Sequence, residues 1–202
     1  NDNSAFGYDS LRLNTTGVDN NAFGSKTLDA NTTGSRNNAF GFQALTANTT
    51  ADNNTAFGHK ALEANTTGSS NNAFGAESMQ TNTTGNQNCA FGRQSLKTNN
   101  GSYNNAFGHQ TLELNTTGTQ NQAFGLNSLY ANTTGSYNCA FGHAALTNAT
   151  TADYNTAVGD QCLGVCTTGS NNTAMGARAL DALTTGNNNT SIGYSSNSGR
   201  TT

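Results

Sequence analysis

Apolar residues recur along this chain at a fixed interval, within the motif Asn-x-Ala-Phe-Gly or a close variant of it. We number the positions of one repeat from the alanine of this motif. Ten of the eleven intervals between successive starts are 17 residues, and the interval from Ala90 to Ala106 is 16. A period of this size is typical of solenoids and other repeat arrays. The twelve starts are Ala5, Ala22, Ala39, Ala56, Ala73, Ala90, Ala106, Ala123, Ala140, Ala157, Ala174 and Ser191.

Each position of the repeat has its own chemistry. Position 2 is Phe in nine repeats, followed by Val158, Met175 and Ile192, and position 3 is always Gly. Position 6 is small, position 7 is Leu in ten repeats, and positions 10 to 13 usually read Asn-Thr-Thr-Gly. Position 16 is always Asn, whereas positions 5 and 8 vary among polar residues. Constant apolar positions indicate the interior, and variable polar positions indicate the solvent-facing side.

The glycine at position 3 and the Asn-Thr-Thr-Gly segment predict two turns, because Gly and Asn adopt positive φ at low cost. Two short segments lie between them, Asn-Asn-Ala-Phe and Ala-Leu-x-Ala, and the second alternates with the period of a strand. One repeat is therefore predicted to be one coil: strand, Gly turn, strand, Thr-Thr-Gly turn. The predicted fold is all-β, a parallel β-solenoid (β-roll) of about twelve 17-residue coils in a single array over residues 1–202.

Stacking of coils is required for stability. One coil buries about one Phe and one Leu, each worth roughly 1.5–3 kcal/mol, whereas ordering the backbone costs about 1–2 kcal/mol per residue. Stacked coils align equivalent side chains in columns. The predicted core columns contain Phe23, Phe40, Phe57, Phe74, Phe91, Phe107, Phe124 and Phe141, with Leu28, Leu45, Leu62 and Leu96. A stacked amide ladder is predicted for Asn20, Asn37, Asn54, Asn71, Asn88, Asn104, Asn121, Asn138, Asn155 and Asn172.

Composition and charge narrow the classes of partner. Charged residues make up 9% of the chain, against a usual figure of about 25%, and the net charge is −3. Without a basic patch, nucleic acid is not expected as a partner. No apolar run approaches the roughly 18 residues that span a bilayer, so no membrane span is expected. No signal peptide is evident, and we expect a mature form or a piece of a longer array.

The Asn-Thr-Thr triplets match the acceptor pattern for N-glycosylation. A row of sugars along one edge would solubilise a nearly uncharged rod. The alternative is plain turn structure, because Asn and Thr are favourable turn residues and the same position holds Ala149, Cys166 and Leu183 in later repeats. The candidate glycosylation sites are Asn14, Asn31, Asn48, Asn65, Asn82, Asn115 and Asn132.

The cysteines allow one disulfide. Cys162 and Cys166 occupy positions 6 and 10 of one repeat and could bridge a turn, or they could be small tolerated side chains. Cys89 and Cys139 share position 17 three coils apart, about 14 Å at the usual strand spacing. That distance is too long for a disulfide within one chain.

The titratable residues do not suggest catalysis, a metal or a cofactor. His59, His109 and His143 share position 4 in coils that are two or three apart, so no two of them can hold one ion. Aspartates do not recur in every turn, as calcium-binding repeats require. No Ser-His-Asp grouping, phosphate-binding loop or pair of carboxylates stands out, and we expect that the protein is not an enzyme.

Two further columns carry chemistry. Tyr137 and Tyr154 fall at position 15 of adjacent coils, and Tyr103 lies two coils earlier, so the rings could contact a sugar or a partner, or simply be exposed turn residues. The Thr-Thr pairs suggest ice binding, in which regularly spaced rows of hydroxyls on a flat face match the ice lattice. Neighbouring residues of a strand point to opposite faces, so each pair provides only one hydroxyl per coil on each face.

The motif Asn-x-Ala-[Phe/Val/Met/Ile]-Gly, as in Asn20–Gly24, Asn155–Gly159 and Asn172–Gly176, resembles the head repeat of trimeric autotransporter adhesins. Similar units occur in phage tail-fibre-like proteins. The resemblance covers nearly the whole chain and implies a left-handed parallel β-roll, three chains side by side, and a cell-surface or virion fibre. The coil is longer here than in those heads, by the Asn-Thr-Thr-Gly turn, and the sequence contains no helical stalk or membrane anchor.

Three functions are compatible with these features. The leading hypothesis is a structural, non-catalytic segment of an extracellular fibre or filament, whose main partner is the protein itself, as a homotrimer or a head-to-tail filament, and which carries covalent glycans if the Asn-Thr-Thr sites are used. The second is an adhesin head or tail-fibre shaft that binds a surface receptor or glycan. The third is an ice-binding solenoid.

Overall fold

The computed structural model describes residues 2–199 and 201, which form a β-solenoid with one repeat in each turn. Every repeat contributes one three-residue strand from positions 17, 1 and 2. The strands β1 to β12 are Ser4–Phe6, Asn21–Phe23, Asn38–Phe40, Thr55–Phe57, Asn72–Phe74, Cys89–Phe91, Asn105–Phe107, Gln122–Phe124, Cys139–Phe141, Thr156–Val158, Thr173–Met175 and Thr190–Ile192. Over the described residues there is no helix, and hence none that is long and apolar enough to cross a bilayer.

The strands form one parallel sheet in chain order, as predicted. Equivalent positions face each other, so Ala22 pairs with Ala39, and at the short repeat Ala90 pairs with Ala106. At about 4.8 Å per strand, twelve coils make a rod of roughly 58 Å. The all-β class, the parallel pairing and the 17-residue period are confirmed.

The predicted second strand of each coil is wrong. Positions 5 and 7 have left-handed backbone conformations, as at Lys26 (φ 58°) and Leu28 (φ 50°). Their N–H groups donate in opposite directions, from Lys26 to the Tyr8 carbonyl of the previous coil (2.8 Å) and from Leu28 to the Ala44 carbonyl of the next (3.1 Å). This alternation makes the chain turn tightly at these positions. The segment that was expected to be the second strand is therefore a stack of hydrogen-bonded turns along the rod.

The core consists of alanine, leucine and asparagine. The alanine of position 1 and the large apolar residue of position 7 are fully buried from the second coil to the eleventh. The four leucines that were predicted to be in the core, Leu28, Leu45, Leu62 and Leu96, are all completely buried.

The prediction that phenylalanine fills the core is wrong. Successive strand residues point to opposite faces, and Ala22 points inward, so Phe23 points outward and remains 39% exposed. The small Ala and Asn columns leave the interior narrow, with no space for a ring. The correction applies equally to the other phenylalanines at this position, Phe40, Phe57, Phe74, Phe91, Phe107, Phe124 and Phe141.

The position-16 asparagines form a continuous buried ladder. The Asn37 side-chain oxygen accepts the backbone N–H of Asn54 (3.0 Å), and its Nδ2 donates to the Ala51 carbonyl (2.8 Å). The same pattern repeats through the ten predicted ladder residues, all of which are buried. Each amide therefore joins two coils and satisfies groups that the turns leave without backbone partners.

The 16-residue coil stays hydrogen-bonded to the preceding coil because a side-chain oxygen takes the place of a backbone carbonyl as the acceptor. In ordinary coils one threonine carbonyl, such as that of Thr32, accepts up to three N–H groups from the coil before it. In the short coil, Asn100 Oδ1 takes this role and accepts both the N–H (2.7 Å) and the hydroxyl (2.8 Å) of Thr83. The side-chain oxygen of Asn100 thus replaces the threonine carbonyl as the acceptor in this coil.

Candidate functional site: the outer face of the sheet

The outer face of the sheet carries a column of stacked aromatic rings. Ring centroids of neighbouring coils lie 4.3–5.3 Å apart, and the ring planes differ by only 2–13°. The stack is continuous over eight coils, from Phe23 to Phe141, and Val158, Met175 and Ile192 extend it as apolar side chains. Because the strands are parallel and in register, the sheet itself imposes this spacing.

A polar but uncharged column runs beside the rings at position 17. Asn21 Nδ2 donates to Asn38 Oδ1 (2.8 Å), and Asn105 Nδ2 donates to Gln122 Oε1 (2.7 Å). Neither this column nor the aromatic one contains a charged residue, although the chain has 8 basic and 11 acidic residues. The outer face is therefore apolar on one side, amide- and hydroxyl-rich on the other, and neutral throughout.

The charged side chains are concentrated at other positions and interact with each other. Lys97 Nζ lies 2.9 Å from Glu77 Oε2, which also accepts a hydrogen bond from Gln94 (3.0 Å). The Gln94 hydrogen bond, followed by Lys97, lowers the pKa of Glu77 to about 2. Charge is thus neutralised locally at positions 5 and 8, away from the strands.

The candidate glycosylation sites are interior. Asn31, Asn48, Asn65, Asn82, Asn115 and Asn132 are fully buried. Asn65 shows the pattern: its Nδ2 donates to Asn48 Oδ1 (3.0 Å) and to the Gly68 carbonyl (2.9 Å). A sugar on Nδ2 would have to lie within the core, so the structure contradicts glycosylation of these six in the folded chain. Asn14, in the first coil, is half-buried and donates to the Gly17 carbonyl (3.0 Å).

The asparagines of position 10 thus form a second buried ladder, which ends at Asn132. The next coil has Ala149 in place of asparagine, and the buried Oδ1 of Asn132 is left without a hydrogen-bond partner. This ladder is hard to recognise in the sequence because Asn followed by Thr also fits a turn and a glycosylation site. The apolar Ala149, Cys166 and Leu183 at the same position were the available sign of burial.

The structure has four free thiols and no disulfide between Cys162 and Cys166. Both are buried on different columns, and Cys166 Sγ donates to the Gly169 carbonyl (3.4 Å), in the place of a ladder asparagine. Burial raises the pKa of the Cys162 thiol to about 11. Cys89 and Cys139, in contrast, lie half-buried on the outer face beside the aromatic column.

The histidines are in separate environments. His143 lies 2.8 Å from Asp160, His109 lies 3.4 Å from Arg93, and His59 stacks on Phe42. Across residues 2–199 and 201, no three or more His, Cys, Asp or Glu side chains are placed to hold a metal ion.

The tyrosine and threonine columns are superficial. Tyr137 and Tyr154 stack with centroids 4.7 Å apart, and they are 47% and 56% exposed. In the Thr-Thr pairs, the first hydroxyl is used internally, as when Thr32 Oγ1 donates to the Thr49 carbonyl (3.0 Å). The second threonine, such as Thr33, is exposed, and in two coils the first threonine (Thr15 and Thr116) is exposed as well.

Comparisons with known proteins add no functional assignment. No family model, no curated protein and no solved structure matches this chain. Function must therefore be inferred from the chemistry of the rod's own surfaces.

Proposed function

We propose that the chain is a structural, non-catalytic segment of an extracellular fibre, at a cell surface or on a virion, and that copies of it associate side by side through the outer face of the sheet. The observation that carries the proposal is the neutral, aromatic column that runs along that face. A surface of this kind is unusual for a protein that stays monomeric in water.

The exposed apolar area is sufficient for a stable interface. A phenylalanine side chain offers about 200 Å², so the 38–39% exposure of Phe23, Phe57, Phe91 and Phe141 leaves about 75 Å² on each ring. The other rings of the stack are less exposed, but Phe6, Met175 and Ile192 at the ends of the column are more exposed (75%, 48% and 69%), so the twelve side chains together expose on the order of 900 Å². Stable interfaces bury about 800 Å² per partner, whereas the largest apolar patch of a typical monomer is about 300–600 Å².

A second copy of the chain is the partner that fits best. It has the same 4.3–5.3 Å ring spacing, so a parallel arrangement can keep ring columns in contact over their whole length. The depletion of charge from both outer columns is also the feature that distinguishes the core of an interface from ordinary surface. The proposed arrangement includes the homotrimer, in which three such faces meet on one axis.

The test is the mass of the protein in solution, measured by light scattering after size exclusion, together with negative-stain microscopy. We expect a multiple of the chain mass and rods wider than one solenoid. The double variant Phe91→Lys/Phe124→Lys, which places charge in the column, should be monomeric.

The matched control is Phe42→Lys/Leu126→Lys. Both residues are exposed apolar side chains, at 46% and 44%, but they lie at position 4, outside the sheet. This variant should assemble like the original protein. A monomeric original protein, or equal behaviour of the two variants, would refute the proposal.

The two outer cysteines can report the orientation of the copies. In parallel, in-register association, each Cys89 lies level with Cys89 of the neighbouring copy, and each Cys139 with Cys139. A bismaleimide should then link each of the variants Cys89→Ser and Cys139→Ser into covalent dimers through its one remaining outer thiol, because Cys162 and Cys166 are buried. Cross-linking that requires both cysteines would indicate antiparallel association and contradict the parallel arrangement.

The second candidate function, an adhesin head or tail-fibre shaft, is supported by the exposed Tyr137–Tyr154 stack. Tyrosine hydroxyls beside an exposed turn are suited to contacts with a glycan or receptor. A glycan array of the original protein beside the variant Tyr137→Ala/Tyr154→Ala distinguishes the two functions, because binding that requires the tyrosine stack supports an adhesin, whereas a spacer should show none. Ice binding has less support, since one of the two threonine hydroxyls in each coil is used internally, and a measurement of thermal hysteresis would decide it.

A further inference from the structure

A notch interrupts the regular surface of the rod. It has a volume of about 290 Å³ and lies across coils nine to eleven. Gly164 forms its floor, Thr147 and Asp181 lie on either side of it along the position-8 column, and Gln161 and Val165 complete the walls with Ala144 and Asn148.

The notch exists because side chains are missing from two columns. Position 8 elsewhere carries residues such as Glu63, Gln80 and Lys97, and here it is Gly164. Position 5 of the preceding coil is Ala144, where most other coils have a longer polar residue, such as Lys60 or Glu77. The short residues at position 5 of coil nine and position 8 of coil ten leave the space that forms the notch.

Three polar side chains at the notch have no hydrogen-bond or ion-pair partner in the part of the chain that the structure describes. In regular coils, neighbours satisfy each other, as when Gln80 Nε2 donates to Glu63 Oε2 (2.8 Å). Within residues 2–199 and 201, the Asp181 carboxylate, the Gln161 carboxamide and the Thr147 hydroxyl have no side-chain hydrogen bond or ion pair. Asn148 Nδ2 donates to the Gly164 carbonyl (2.7 Å) and thereby fixes one wall.

We infer that this notch binds one ring of a neutral sugar. A carboxylate accepts hydrogen bonds from two adjacent hydroxyls, a carboxamide both donates and accepts, and Val165, which is 39% exposed, with Ala144 offers apolar contact for the C–H face of a ring. The volume lies at the lower limit of small-molecule pockets, about 300–1,000 Å³, which suits a single ring. The free carboxylate disfavours anionic ligands.

The inference does not depend on self-association, since the notch lies on positions 5, 8 and 9 and not on the outer face of the sheet. The test is saturation-transfer NMR of the full chain with methyl glycosides of glucose, galactose, mannose and N-acetylglucosamine, followed by titration of the amide spectrum. At least one glycoside should bind with a dissociation constant in the millimolar range, with shifts centred on Gly164 and Val165.

The variant Gly164→Gln refills the notch with the side chain that Gln80 has at the same position, and it should weaken binding at least tenfold. An added Cβ at Gly164 lies 3.1 Å from the Gln161 carbonyl, a tight contact that requires a small shift. The control Thr46→Gln adds the same side chain to the same column, seven coils away, and should leave binding unchanged. If Gly164→Gln is unfolded by circular dichroism, Asp181→Asn provides the second measurement, with an expected severalfold loss. Absence of saturation transfer with all four glycosides, or unchanged binding by a folded Gly164→Gln or by Asp181→Asn, would overturn the inference.

Discussion

The side-chain oxygen of Asn71 accepts both the backbone N–H and the Nδ2 group of Asn88, at 3.0 and 3.1 Å, one coil further along the rod. The Nδ2 group of Asn71 donates to the Gly85 carbonyl (2.8 Å). One buried amide thus satisfies backbone groups that cannot pair in a sheet, and repetition of this contact connects the coils along the rod.

Asn71→Ala should therefore be strongly destabilising. It leaves the Asn88 N–H buried without a partner, at about 1–3 kcal/mol, and removes one of the two donors to the Gly85 carbonyl, which keeps Asn82 Nδ2 at 3.1 Å. We expect a loss of roughly 1–3 kcal/mol in the free energy of unfolding, measured by urea titration with circular dichroism. Asn72→Ala, at the exposed position next to it, should change stability by less than about 0.5 kcal/mol. Similar effects of the two substitutions would contradict a structural role for the ladder.

The second ladder offers a stabilising substitution. Ala149→Asn places an amide opposite the unsatisfied Oδ1 of Asn132 and within reach of the Ala152 carbonyl, as Asn48 is with Ala51. The new Oδ1 faces the column position of Cys166, whose thiol is a weak donor. We expect a gain of about 1 kcal/mol, seen as a higher urea midpoint. Ala177→Asn, at a half-buried position outside both ladders, is the control, and an equal rise there would count against the explanation.

Peptide mapping by mass spectrometry of protein from its native source should find no sugar on Asn31, Asn48, Asn65, Asn82, Asn115 or Asn132. The reason is that all six side chains are buried and hydrogen-bonded. Asn53 and Asn171 also precede a residue and then a threonine, and they are exposed, so these peptides serve as internal comparison. A hexosamine mass on the Asn65 peptide would show that the folded state described here is not the native one.

Two substitutions in coil seven, Leu112→Ala and Phe107→Ala, test the contribution of the core and that of the outer face separately. Leu112→Ala removes a fully buried side chain and should cost about 2–5 kcal/mol. Phe107→Ala removes a half-exposed ring and should cost the isolated chain roughly 1–2 kcal/mol, while it weakens self-association. Urea unfolding at low concentration measures the first effect and light scattering the second. A larger stability loss for Phe107→Ala would place the aromatic column in the core after all.

The contacts of the Glu77 carboxylate with Gln94 and Lys97 should persist until the pH falls well below 4.5. The folded pKa of about 2 lies below the ordinary value of 4.5, so the stabilisation is fully present above about pH 4.5 and is lost as the pH falls towards 2. The contribution is small because the ion pair lies at the surface, where solvent reaches both the Lys97 and the Glu77 side chains. An NMR titration of Gln94→Ala or Lys97→Thr should show the pKa of Glu77 moving up towards 4.5. Lys26→Ala, three coils away, should leave it unchanged, and a Glu77 pKa near 4.5 in the original protein would contradict the contact.

The period, the parallel stacking, the leucine column and the position-16 ladder follow from the sequence, because each depends only on which residue type recurs at which position. The direction of a side chain could not be predicted in this way. Both Ala22 and Phe23 are apolar and constant in character, and placing the larger one inside is the ordinary expectation. Here the turns bring the chain so close to itself that only alanine fits, and the rings are excluded.

The absence of the second strand did have a signal in the sequence. Among residues 2–199 and 201, thirty-five residues other than glycine have positive φ, at positions 5, 7 and 15, and none of them is Val, Ile or Thr. β-Branched residues adopt this conformation only under severe strain. In a chain so rich in threonine, its consistent exclusion from three positions indicates left-handed backbone there, and this also explains why position 7 is leucine and never isoleucine.

In the short coil, the side-chain oxygen of Asn100 accepts the hydrogen bonds that a backbone carbonyl accepts in other coils. The position of the acceptor between neighbouring coils is thus kept although the length of the coil differs. A lap can therefore be one residue shorter when an amide side chain supplies the acceptor that the backbone would otherwise provide. Loss or duplication of a complete lap requires no such repair, and the natural unit of length change is one whole turn.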